Sequence, residues 1–445
     1  MRSYTIVTLA IIAALGCACS NKNREARIEY MLPEEVEQQK PLPEGAIAFD
    51  FSNHLYFDVV LRDSVPAKMI FDTGNTNLLI DNKLFKEHFA PSETLQRTII
   101  QGTGNSLEAV YRDTSDWRYS IGEYTQTEQG AIIMDLQKIL GNEADGMFGM
   151  EFMRGRKVEF NYADGYMLIL PQEAQPAEGY TCIKCKWLDN RGARMVMPIS
   201  LKVNDAVSFD GNFLVDLGSS GGVSLNSSLV AKLKLNRVLT DVRKKIYDTG
   251  GVGGSRTDYI FTAKGISVAG YEIEDVATDF SGNTQGMMAN DSFDGLVGNA
   301  LFERFDVIFD FAKCEIWLRP NKNFNTSVNC DSGMTLTPQD DGWVVNGLIE
   351  GGNAHREGVR RGDKIISING LAREKVSLKE LKRMNRSAED WKIVIQGNNS
   401  TTELVIKKEE RDLEWNIMVS DDLILDPHQP VFLNLQIEIL PLKNN

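Results

Sequence analysis

The stretch NFLVDLGSSGG, residues 212–222, admits two chemistries. Gly218-Ser219-Ser220-Gly221-Gly222 fits G-x-S-x-G, the turn that exposes a serine nucleophile. Phe213-Leu214-Val215-Asp216-Leu217-Gly218 instead reads as an apolar strand that delivers an aspartate into a tight turn. A serine elbow needs a helix after the turn and a histidine partner. Gly221-Gly222-Val223-Ser224 is a poor helix start, and His54, His88, His355 and His428 are scattered. The same scatter, with no H-E-x-x-H, argues against a catalytic metal site.

The aspartate reading has a second copy. Residues 68–80, KMIFDTGNTNLLI, match 212–224, NFLVDLGSSGGVS, and place Asp72 opposite Asp216. A longer match follows each. Residues 145–171 and 294–320 align without a gap, sharing their Asp-Gly starts, the inner glycines Gly149 and Gly298, and the closing prolines Pro171 and Pro320. Between the landmarks lies a glycine-rich run, Gln101-Gly102-Thr103-Gly104 in one copy and Gly250-Gly251-Val252-Gly253-Gly254 in the other. Such runs suit hairpin tips. The central chain is therefore two homologous lobes. Asp248-Thr249-Gly250 is a more literal copy of Asp72-Thr73-Gly74, but Arg243-Lys244-Lys245 is no apolar strand, and the run reads as a hairpin.

Two carboxylates brought together by such a repeat cannot both ionise, so they share one proton. One then acts as general base on a water while the other donates to a peptide carbonyl. Together, Phe71-Asp72-Thr73-Gly74 and the landmarks Met147-Phe148-Gly149 and Leu296-Val297-Gly298 resemble the retropepsin-like aspartyl proteases over residues 45–325. The resemblance implies a mainly β fold with two acid-protease lobes, 45–175 and 176–325, in a pseudo-twofold bilobal domain. It implies Asp72 and Asp216 as the catalytic pair, with Thr73, Gly74, Gly218 and Ser219 shaping their loops. It makes Gly102, Thr103, Gly104, Gly251, Val252 and Gly253 the tips of flaps, and a peptide or protein the substrate, without a cofactor. Asn75 stands where that family has a small residue. Leu217 stands where it has a hydroxyl, so the second lobe holds its aspartate less rigidly or is degenerate. The latter outcome would leave a peptide-binding protein. A homodimer pairing Asp72 with Asp72 is a third possibility, against which the aspartate repeat argues.

Residues 332–410 resemble a PDZ domain, an α+β module, on GGNAHREGVRRGDKIISING, residues 351–370. Asn369-Gly370 signals a tight turn, and Ser377-Leu378-Lys379-Glu380 opens a short helix. The resemblance implies either capture of an extended peptide as an added strand or a docking role. The tail from 411 to 445 carries strand-like VFLNLQIEIL and is not placed.

The first 17 residues resemble a bacterial lipoprotein signal, with Arg2, the apolar run Ile6 to Leu15, and Gly16-Cys17 at the cleavage site. That makes Cys17 the lipidated residue and implies an exported protein on a bacterial membrane. Residues 18–44 read as a tether. Net charge of −14 argues against a nucleic-acid partner. Cys182, Cys185, Cys314 and Cys330 read as structural thiols or one or two disulfides, since no second C-x-x-C or nearby histidine completes a zinc set.

Overall fold

Apolar residues on both faces mark a strand that is covered on both sides. Val65–Asp72 is such a strand at its end, where Met69, Ile70 and Phe71 are all buried. It lies antiparallel to His54–Leu61 and parallel to Gly146–Gly149. Leu78–Asp81 closes antiparallel on the far side of Gly146–Gly149. The landmark strand is thus held between the two segments that flank the aspartate turn.

The computed structural model describes residues 41–410, apart from 91–92, 191, 241, 327–329, 388 and 398–399. The signal segment with Cys17, the tether up to residue 40 and the tail 411–445 lie outside the described residues.

The second lobe repeats the first strand for strand. In the first sheet the order is His54–Leu61, Val65–Asp72, Gly146–Gly149, Leu78–Asp81, Tyr124–Met134, Glu108–Ile121 and Leu95–Ile100. In the second it is Met195–Lys202, Ser208–Val215, Gly295–Val297, Val223–Leu225, Tyr271–Ser281, Arg256–Val268 and Arg243–Tyr247. A third sheet joins the lobes through Lys157–Asn161, antiparallel to Phe305–Asp310. There Glu159 pairs with Ile308, the residue that the sequence repeat makes its own counterpart. Only a twofold-like axis through that pair sets a residue opposite its own copy. Side chains from both lobes share one hydrophobic core.

The C-terminal module has its own core, built on Trp343, Val345, Ile365, Ile368, Trp391 and Ile393. Asn369 and Gly370 both take positive φ, at 52° and 77°, as a tight hairpin turn requires. The Ser377 hydroxyl accepts a hydrogen bond from the Glu380 amide at 3.1 Å and caps the helix Leu378–Arg386. Glu380 does not return the bond as a capping box would, because its carboxylate pairs with Arg383 at 2.6 Å.

This module is not a separate bead. Its strand Gly342–Ile349 continues the second lobe's sheet, with Lys245 opposite Ile349, Ile246 opposite Leu348 and Tyr247 opposite Gly347. It also touches the first lobe. Asn142 donates to Asp340 at 2.6 Å, Arg373 pairs with Glu143, and Lys382 sits 3.5 Å over the Phe51 ring.

Cys182, Cys185 and Cys314 are free thiols. Cys182 lies on the strand Thr181–Lys184, and the Cys185 amide donates to the Cys314 carbonyl at 3.0 Å.

Candidate active site

Asp72 ends its strand and Asp216 follows Ser208–Val215 directly. Both are largely buried, 8% and 6% exposed. Each carboxylate accepts a hydrogen bond from the glycine two residues on. Gly74 donates to Asp72 Oδ1 at 2.7 Å, and Gly218 to Asp216 Oδ1 at 2.9 Å. Asn75 adds a second donor to Asp72 at 3.2 Å. These short loops hold each side chain rigid at the end of its strand.

The two loops interlock. A methyl group at Gly74 would lie 2.8 Å from Asp216 Oδ1, and one at Gly218 would lie 2.6 Å from both carboxylate oxygens of Asp72. Each aspartate is therefore seated on the other lobe's glycine, and the two carboxyls are within hydrogen-bonding reach of each other. The sequence-derived pair Asp72 and Asp216 meets.

Burial raises the pKa of both acids. For Asp216 the charge of Asp72 adds to it and carries the shift well above the ordinary carboxylate value. The backbone amides of the loops oppose the shift in each. A carboxyl whose pKa rises on folding binds more protons folded than unfolded, so stability falls as pH climbs above about 4. Asp216→Asn removes this penalty. The melting temperature of the variant relative to wild type should move in the variant's favour as pH rises from 4 to 8. A pH-independent difference in Tm would contradict a proton shared in this pair.

Thr73 reaches across the lobes. Its hydroxyl donates to the Val215 carbonyl at 2.9 Å and accepts from the Leu217 amide at 3.0 Å. Leu217 cannot reciprocate, and its side chain is fully buried in the shared core instead. The sequence implied a looser second loop on that ground. The structure ties Leu217 at both backbone groups, because the Asn299 amide donates to its carbonyl at 2.7 Å. The same amide donates to the Asn53 carbonyl at 3.0 Å, and Asn299 Oδ1 accepts the Tyr162 hydroxyl at 2.8 Å. One fully buried asparagine thus links the second aspartate loop to two first-lobe residues.

Ser219 holds the same loop through its backbone, its amide donating to the Asp216 carbonyl at 3.1 Å and its carbonyl accepting from Asn299 at 3.0 Å. Ser220 is exposed, and a strand, Val223–Leu225, follows rather than a helix. Asp248 forms an ion pair with Arg361 of the C-terminal module.

The glycine-rich tips meet each other. Residues 101–107 and 248–255 join strands of the two long hairpins. Gly104 donates to the Val252 carbonyl at 2.9 Å, Ser106 to Gly253 at 3.0 Å, and the Thr103 hydroxyl to Gly250 at 2.8 Å. Gly251 and Gly253 take φ of 107° and 101°, which side-chain-bearing residues avoid.

Residues 57–152 match the family model described as an aspartyl protease, and residues 323–396 match that of the PDZ domain. The chain carries an aspartyl protease domain and a PDZ domain. Among solved structures, an aspartic proteinase from Irpex lacteus aligns with 64% of this chain and 98% of its own, at 12% identity and a TM-score of 0.37. No curated protein matches.

Three features of the site were missed in the sequence. Asn299 follows Gly298 where the first lobe has Met150, and that break in the repeat was the available signal. His54, next to Asn53, packs beside the Gly218 backbone, and burial lowers its pKa to about 4, so it is neutral. The pairing of the PDZ domain with the second lobe's hairpin had no local signal.

Proposed function

We propose that this protein is an aspartic endopeptidase that builds its catalytic pair, Asp72 and Asp216, within one chain. The observation that carries the reading is the reciprocal seating of each carboxyl on the other lobe's glycine. The pair shares one proton and titrates as a unit. The ionised partner takes a proton from a water, the protonated partner donates to the peptide carbonyl, and the water attacks without a covalent intermediate. Thr73, Gly74, Gly218 and Ser219 hold the loops, and the paired tips cover an extended peptide. The protein is exported and held to a bacterial membrane through lipid on Cys17, with residues 18–44 as the tether. The PDZ domain serves the peptidase as a docking module.

The test is cleavage of a diverse peptide library from acid to neutral pH, in water enriched in ¹⁸O. Wild type should release fragments that carry the label in the new carboxyl group. Peptide binding without cleavage at any pH would show a binding protein and sink the enzymatic reading.

A further inference from the structure

The two lobes share a topology, but their cleft faces differ in chemistry. Neighbours paired across strands share a face of the sheet, and so do residues two apart along a strand. In the first lobe, Ile70 pairs with Met147, Met147 with Leu79, and Leu79 with Ile132. Asp72 lies two residues beyond Ile70, so it shares that face. Leu78 and Ile80 point the other way, into the shared core. Leu79, Val110, Ile132 and Met134 form a separate apolar cluster, and Val252 from the opposite lobe's tip packs on it. Arg112, opposite Ile132 on the same face, is engaged by Asn77 Oδ1 at 3.2 Å and the Gln129 carbonyl at 2.6 Å. This face, bearing the aspartate and touched by the far tip, is the first lobe's side of the cleft.

The second lobe repeats the register. Leu214 pairs with Leu296, Leu296 with Ser224, and Ser224 with Asp279, while Asp258 pairs with Ser281. Ser224 therefore stands where the first lobe has Leu79, and Asp279 where it has Ile132. Asp258 and Ser281 replace Val110 and Met134. Arg256 neutralises Asp258 at 2.6 Å. Asp279 accepts a hydrogen bond from Ser224 at 3.0 Å and forms no ion pair among the described residues. Burial, reinforced by the charge of Asp258, pushes its carboxyl up to about 7. With Lys245 and Arg256 nearby, the cluster has little net charge. Any preference it exerts is short-ranged, through the Asp279 carboxyl itself, which is an ionised acceptor above about pH 7 and a neutral partner below it.

An extended peptide crossing a pseudo-twofold pair presents equivalent side chains to the two faces, on opposite sides of the bond to be cut. We propose that the second lobe's face, at Asp279 and Ser224, takes a hydrogen-bond-donating side chain, lysine, arginine or an amide, while the first lobe's face, at Leu79 and Ile132, takes an aliphatic one. This rests on the peptidase reading above and adds to it a substrate class, a peptide polar on one side of the cut and aliphatic on the other. A polar group set against the substrate side chain discriminates more strongly than an apolar pocket does.

Cleavage-site profiling of the purified protein tests this. Wild type should favour Lys, Arg, Gln or Asn over Leu or Ile at one subsite by at least about tenfold in kcat/KM, with aliphatic preference at the counterpart across the cut. Asp279→Ile combined with Ser224→Leu, which copies the first lobe, should abolish the polar preference and leave the aliphatic one. Asp279→Asn keeps the shape and guards against a misfolded double variant. It should reduce selection of Lys and Arg relative to Gln, while Tm does not fall below wild type. Robust cleavage with aliphatic preference on both sides, or a profile unchanged by either variant, overturns the inference and leaves the peptidase reading standing. Absence of any cleavage by wild type overturns both.

Discussion

Gly218→Ala should abolish peptide cleavage in a chain that still folds. Gly218 has no positive φ to protect, so the effect is purely one of space. The added methyl would lie 2.6 Å from each oxygen of the Asp72 carboxylate, well inside van der Waals contact. Either Asp72 swings away or its loop retreats from the second lobe. Overpacking of this kind costs about 1–3 kcal/mol of stability. Displacing a reacting group by about 1 Å costs about 100-fold in rate. Here the displaced group is one of the pair itself, so the loss should be larger. Gly74→Ala should act in the same direction on Asp216, where the methyl meets Oδ1 at 2.8 Å. Gly221→Ala is a suitable control, since its methyl would find the nearest atom, Ser224 Oγ, at 3.4 Å. Comparison of kcat/KM and Tm for the three variants checks the argument. Near-wild-type cleavage by Gly218→Ala would contradict the interlocked loops.

The second large effect is expected at the junction between the PDZ domain and the hairpin tip. Asn346 is 8% exposed and makes a reciprocal pair of bonds with Thr249, donating to its carbonyl at 2.8 Å and accepting from its amide at 2.9 Å. The Asn346 carbonyl accepts from the Asp248 amide at 2.9 Å, and Arg361 pairs with Asp248. These contacts sit at the root of the tip that carries Gly251, Val252 and Gly253. Asn346→Ala removes both bonds to the half-buried backbone of Thr249, at about 0.5–1.5 kcal/mol each. Combined with Arg361→Glu, it should release the tip while the PDZ core stays folded. Amide hydrogen exchange should accelerate about tenfold or more over residues 248–255, since about 1.4 kcal/mol corresponds to a factor of ten. Unchanged exchange at the tip would mean that the PDZ domain does not restrain it.

What was legible in the sequence follows the physics of local pattern. The repeat was visible because each lobe must bury the same landmark strand between the same two neighbours. Met147-Phe148-Gly149 and Leu296-Val297-Gly298 therefore kept their apolar spacing. Asp72 and Asp216 were found because a polar residue closing a buried strand stands out, and its duplication stands out further. Leu217 was correctly seen to lack a hydroxyl, but the consequence could not be read locally. The groups that hold it, Thr73 and Asn299, come from 144 and 82 residues away in the chain. The contrast between Ile132 and Asp279 escaped notice because it emerges only once strand register assigns them to equivalent places. The docking of Gly342–Ile349 on Arg243–Tyr247 is a backbone contact between distant segments, and strand pairing of that kind carries little side-chain signature.

The direct test of a catalytic pair formed within one chain uses Asp72→Asn and Asp216→Asn proteins, each assayed alone and then mixed in equal amounts after co-refolding. An intramolecular pair predicts that neither variant cleaves and that the mixture stays inactive, while wild type cleaves as a monomer. Full activity of Asp216→Asn alone, or activity regained in the mixture, would place the pair between two chains and contradict it.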